Sequence, residues 1–161
     1  MKLAHDIYSE TNPEFCAYAL VGFTAAYITM KAGGPELPTA YLALPVVLYG
    51  NLSGTFDGTN KNTGLLEWLE RNPQVQVSLA ERVNASMEIV TNAIRFGCFA
   101  RMLKIAEGAR LSLGNEKIKR KAVTALSDQP AEVLKRCERL GYWFALAGST
   151  RVVFDMMGLT L

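Results

Sequence analysis

Residues 84–114, NASMEIVTNAIRFGCFARMLKIAEGARLSLG, restrict this chain to a small set of folds. Met102-Leu103-Lys104-Ile105-Ala106 alternates, Glu107-Gly108-Ala109 carries turn chemistry, and Arg110-Leu111-Ser112-Leu113 supplies a second run. That combination predicts a short β-hairpin. Residues 86–99 before it read as a helix, and two further helical patterns cover residues 65–71 and 74–83. Helix, helix, helix, hairpin is the order of a winged helix, a module that docks on nucleic acid or on another protein.

The rest of the chain reads as helix. Thr11-Asn12-Pro13-Glu14 is a helix start: Asn caps, Pro suits the first helical position, and Glu favours the positive end. Phe15, Ala19, Phe23, Ala26 and Met30 then share one apolar face, Lys31 suits the negative end, and Gly33-Gly34-Pro35 stops the helix. Residues 37–49 are apolar on all sides and belong in the core, where Pro45 kinks a helix and disfavours a central strand. Residues 50–62 are rich in Gly, Asn, Thr and Ser and are expected to form one long loop. Thr63 is placed to cap the helix at 64–71. After the hairpin come a basic amphipathic helix at 115–126, a helix at 130–147, and a short one at 150–157 capped by Ser149 and ended by Gly158. The expected fold is mainly α, with a helical N-terminal part, a winged-helix-like centre and a helical C-terminal part. A length of 161 residues suits a single compact domain, with a possible sub-boundary in loop 50–62 between a helical part, 1–49, and the winged-helix-like part, 63–161.

Composition narrows the function classes. Half the residues are hydrophobic and 20% are charged, so the chain folds. A mean hydropathy of +0.11 is somewhat apolar for a small monomer and hints at burial against a partner. The net charge is only +2 but unevenly placed: residues 1–60 are neutral to acidic, and residues 101–151 are basic. A basic half attracts phosphate or an acidic protein face.

Little here looks like catalytic chemistry. The one histidine, His5, lies near the start, so a His-based triad or a paired-histidine zinc site is excluded by counting. Cys16, Cys98 and Cys137 are odd in number and far apart; they form no disulfide framework and no zinc site, and read as reduced core thiols. Gly50-x-x-x-Gly54 lacks the Lys-Ser/Thr of a phosphate loop, and Asp57, Gly58 and Asn60 lack the spacing and closing Glu of a calcium loop. No cofactor, metal or enzymatic activity is expected. The start has no apolar signal region. Residues 15–30 are short for a membrane span, and 37–56 are interrupted by Pro and Gly, so buried core helices are the better account. A cytoplasmic location is expected.

Lys117-Ile118-Lys119-Arg120-Lys121 is the sharpest charged feature. On a helix Lys117, Arg120 and Lys121 share a face, either merely solvated or contacting DNA backbone without sequence preference. Arg101, Lys104 and Arg110 border the hairpin and are placed to join them. Residues 86–99 offer mainly Asn92 and Arg95 as base readers, thin for a sequence-specific regulator.

Several motifs together resemble a known family. They are Asn12-Pro13-Glu14-Phe15-Cys16, Leu37-Pro38 with Leu44-Pro45, Leu66-Glu67-Trp68-Leu69-Glu70-Arg71-Asn72-Pro73 and Phe96-Gly97. After them come Lys117-Ile118-Lys119-Arg120-Lys121, the run from Arg139-Leu140-Gly141-Tyr142-Trp143-Phe144 to Ser149, and Phe154 with Gly158. In order and spacing the chain resembles the middle components of bacterial three-component ABC-ATPase conflict systems, which include the Lamassu-type antiphage systems. The resemblance implies a small non-enzymatic subunit that connects an SMC- or Rad50-like ATPase to an effector, often a nuclease, and touches double-stranded DNA. It carries over no catalytic residue. On this reading Phe15, Phe23, Trp68 and Trp143 are the expected anchors for protein partners. The alternative is a free-standing winged-helix transcription regulator that dimerises on one operator.

Overall fold

The computed structural model describes residues 12–118 and 128–161. The first helix, α1 (Pro13–Met30), starts as its sequence dictates: Asn12 Oδ1 accepts from the N–H of Glu14 at 2.9 Å and of Phe15 at 3.4 Å. Gly33 and Gly34, at φ 98° and 77°, then turn the chain into α2 (Leu37–Leu48). Pro45 sits inside α2 and removes one helical hydrogen bond. Ala40, Leu42, Ala43, Leu44, Val46 and Val47 are buried around it, so packing offsets that loss.

The expected long loop is partly ordered. Gly50–Phe56 forms a 3₁₀ helix with Leu52, Thr55 and Phe56 buried. Next come α3 (Leu65–Arg71), a 3₁₀ turn at Pro73–Gln76, α4 (Leu79–Ala85) and α5 (Met87–Phe99). Thr63 does not cap α3, because its Oγ1 accepts from the Asn60 N–H at 2.9 Å; Gly64 at φ 84° holds the cap position.

The hairpin follows, with β1 (Leu103–Ala106) antiparallel to β2 (Arg110–Leu113) and Leu103 opposite Leu113. Gly108 and Ala109 take φ of 76° and 54° in its turn. The wing is not free. The Leu111 N–H donates to Pro35 O at 2.8 Å and the Leu37 N–H to Ala109 O at 2.9 Å, so the chain between α1 and α2 covers the outer edge of β2.

The basic helix expected from 115 does not begin there. Residues 115–118 are irregular, because the hairpin pairing continues: Gly114 N–H donates to Met102 O and Glu116 N–H to Arg101 O, both at 2.9 Å. Residues 119–126 of that expected helix lie outside the described residues. The chain ends with α6 (Asp128–Ala147) and α7 (Thr150–Met156), and Ser149 Oγ caps α7 by accepting from the Val152 N–H at 3.2 Å.

The molecule is mainly helical with a short hairpin in the middle, as the sequence predicts. Its packing centres on α1, which lies along α6 on one side and α5 on another. That placement explains why Phe15, Cys16, Ala17, Ala19, Leu20, Phe23, Ala26 and Tyr27 are all buried, a wider band than one amphipathic stripe. Met30, expected on that stripe, lies beyond the packed region and is 46% exposed. The three helices before the hairpin stand in the expected order but build no core of their own. Instead α3 packs mainly on α6, α4 on α2, and α5 on α1. No helix among the described residues is long and apolar enough to cross a membrane.

Two buried polar atoms among the described residues are unsatisfied, Thr24 Oγ1 on α1 and Arg82 Nε. Thr24→Val keeps the shape and removes the stranded hydroxyl, so it is expected to raise stability by up to about 1 kcal/mol. A shift of the urea midpoint to lower concentration would contradict that.

Candidate functional site

The four aromatic residues expected to anchor partners are all inside the protein. Phe15 is 8% exposed, and Phe23, Trp68 and Trp143 are 0% exposed. Their own chain has already claimed them. Phe23 meets Phe144 edge-on at 5.7 Å between centroids, joining α1 to α6. Phe56, Trp68 and Trp143 form a cluster with centroids 5.0 to 5.9 Å apart. Both indoles also donate: Trp68 Nε1 to Thr55 O at 3.1 Å, and Trp143 Nε1 to Asn60 O at 2.9 Å. Arg139, one turn before Trp143, adds bonds to Phe56 O and Thr59 Oγ1 at 3.2 and 2.9 Å. These tryptophans hold the 50–62 segment against α3 and α6, and Trp143 also lines the inner wall of a groove between those two helices.

The cations expected to meet DNA divide. Arg101, at φ 62°, Lys104 and Lys117 are exposed near the base of the hairpin and along β1. Arg110 is occupied: its Nη1 donates to Gly34 O at 3.0 Å and its Nη2 lies 3.7 Å from Glu36 Oε1. Glu36 in turn accepts from Thr150 Oγ1 at 3.0 Å, so Arg110 ties β2 to the segment after α1 and to α7. Tyr27 stands beside this pair, its phenol raised above the ordinary range chiefly by burial and lowered in part by Arg110. Arg110 is thus engaged by Glu36 and the Gly34 carbonyl within its own chain. Arg120 and Lys121 lie outside the described residues.

Among the described residues no group of three His, Cys, Asp or Glu side chains is placed to hold a metal ion, and His5 lies outside the described part. Burial pushes the Cys137 thiol far above its ordinary value, with the nearby Cys16 adding to it, and burial also raises Cys98. Raised thiols stay protonated near neutral pH and are poor nucleophiles.

The surface instead offers features that periodicity alone did not single out. Phe99, at the end of α5, is 88% exposed. Leu66 on α3 and Leu146 on α6, each 55% exposed, stand at a groove of about 530 Å³ bordered by Glu67 and Glu70. A smaller hollow of about 330 Å³ is polar, lined by Asn60, Lys61, Lys135, Glu138, Arg139 and Tyr142. The signal for Phe99 was present: it lies off the face formed by Val90, Ala93, Ile94 and Gly97. No comparable signal marked Leu66 and Leu146, because two elements distant in sequence build that groove.

Among known families, the model described as ABC-three component (ABC-3C) system Middle Component 3 matches residues 2–161. No curated protein and no solved structure matches the chain.

Proposed function

The chain belongs to the Middle Component 3 family of ABC-three component systems, and from that membership we propose that it is a non-catalytic adaptor in an antiphage defence complex. It joins an SMC- or Rad50-like ABC ATPase to an effector, with a nuclease the favoured effector, and works in the cytoplasm in a Lamassu-type arrangement. The observation that carries this reading is the surface left after folding. The tryptophans are consumed by the core, yet Phe99, Leu66 and Leu146 remain exposed, as a subunit with docking surfaces requires. A free-standing winged-helix regulator is less well supported, since α3, α4 and α5 spend their apolar faces on α6, α2 and α1.

Co-expression with the other two components and purification through a tag on this chain tests the adaptor. A stoichiometric complex retaining ATPase activity is expected, and recovery of this chain alone would overturn the reading. In the same proposal Arg101, Lys104 and Lys117, with Arg120 and Lys121, track DNA backbone. Reversing Lys117, Arg120 and Lys121 to Glu together is expected to weaken DNA binding by the complex at least about tenfold. It should also reduce the salt slope by about 2–3, since each lost phosphate contact removes about 0.9 from it. Unchanged affinity and slope would remove DNA contact from that segment.

A further inference from the structure

Two surface patches of this chain, an apolar protrusion flanked by cations and an apolar groove flanked by carboxylates, are opposite in charge, and we propose that each is covered by the other on a second copy. One patch is a protrusion: Phe99, 88% exposed, with the exposed Arg95 one turn earlier on α5 and the exposed Arg101 just after the helix. The other is the groove between α3 and α6, with Leu66 and Leu146 at its mouth and Leu65, Ala147 and Met156 among its lining. Its charged lining residues are carboxylates. Glu67 is shared with Arg71 at 2.6 Å, and Glu70 has no ion pair among the described residues.

An aromatic side chain between two guanidinium groups meets an apolar groove bordered by two carboxylates. Burial of the ring in the apolar groove supplies the binding energy, and the surrounding opposite charges fix orientation and register. Phe99 cannot be covered by the neighbours of its own helix, because α5 turns Val90, Ala93, Ile94 and Gly97 toward the core. Both halves of the interface are present on one chain with opposite charge, which favours a second copy over a different protein. The two patches share no residue, so the contact is heterologous: copies add head to tail, into a ring or an open row. This contact uses the same exposed residues as the adaptor reading, Phe99, Leu66 and Leu146, together with Arg101, but does not require the other two components.

The test uses the full chain and sedimentation over a wide concentration range. The wild-type mass is expected to rise with concentration from 17.7 kDa past twice that value, and to fall back at high salt. Phe99→Asp alone, and Leu66→Asp with Leu146→Asp, are each expected to weaken self-association at least about tenfold. Mixing these two variants should restore one contact, giving a 1:1 pair that grows no further. Glu70→Lys, an exposed position that leaves the fold intact, should weaken the wild-type assembly as well. Circular dichroism checks that every variant is folded. A wild-type chain that stays monomeric overturns the proposal. If Phe99→Asp then also lowers thermal stability, Phe99 is covered by a segment of its own chain. Self-association that survives both sets of substitutions, or mixed variants that fail to pair, overturns it equally.

Discussion

Replacing Trp143 with alanine is expected to lower the unfolding free energy by about 3–5 kcal/mol. The indole is 0% exposed, stacks on Phe56 with planes 6° apart, and lies 5.3 Å from the Trp68 ring. The rings that pack on it, Phe56 and Trp68, are themselves buried and held in place, so they leave the space open. Against a typical total of about 5–15 kcal/mol, such a loss removes a large fraction of the stability. Trp143→Phe separates packing from hydrogen bonding. It keeps a ring but strips Asn60 O of its donor, and should cost less than the alanine variant, with about 1 kcal/mol assigned to the lost bond. Leu146→Ala on the same helix removes a side chain that is 55% exposed and should stay within about 0.5 kcal/mol of the parent. Urea unfolding followed by circular dichroism measures all three. A Trp143→Ala loss no greater than that of Leu146→Ala would mean that the indole is not part of the core.

Gly141→Ala is expected to destabilise by about 2–3 kcal/mol, the cost of overpacking a closed contact. In an unconstrained helix the same change stabilises by about 1 kcal/mol, because alanine has the higher helix propensity. The sign is decided by the crossing of α6 over α1. A Cβ at Gly141 would run into the backbone carbonyl of Phe23 and lie 3.0 Å from the Ala26 Cβ. Neither is the end of a flexible side chain, so relief requires the helices to separate, which loosens the Phe23–Phe144 contact between them. Gly50→Ala is the control, since nothing lies within 4 Å of its added methyl group. Equal stability for Gly141→Ala and Gly50→Ala would show that α1 and α6 do not approach this closely.

Much of the secondary structure was written locally. The Asn12-Pro13-Glu14 start, the span of α5, the turn at Glu107-Gly108-Ala109 and the Ser149 cap all depend on residues within a few positions of one another. Caps and turns are satisfied by neighbouring backbone groups, and for that reason they can be read in order along the chain. Even here the start of a basic helix at Asn115 failed, because the donors of Gly114 and Glu116 were taken by carbonyls on the other side of the hairpin.

The functional surface followed no such rule. Trp68 and Trp143 read as anchors for protein partners, and Arg110 read as a free cation. Only the approach of α3, α6 and the 50–56 segment buried the indoles, and only the chain between α1 and α2 brought Glu36 to Arg110. The amino-acid sequence by itself thus determined where the helices and the hairpin lie, through short-range capping, turn chemistry and periodicity. The tertiary structure decided which apolar and charged side chains were used up inside and which were left for partners. Periodicity specifies that a face must be buried, and only the packed elements specify what buries it.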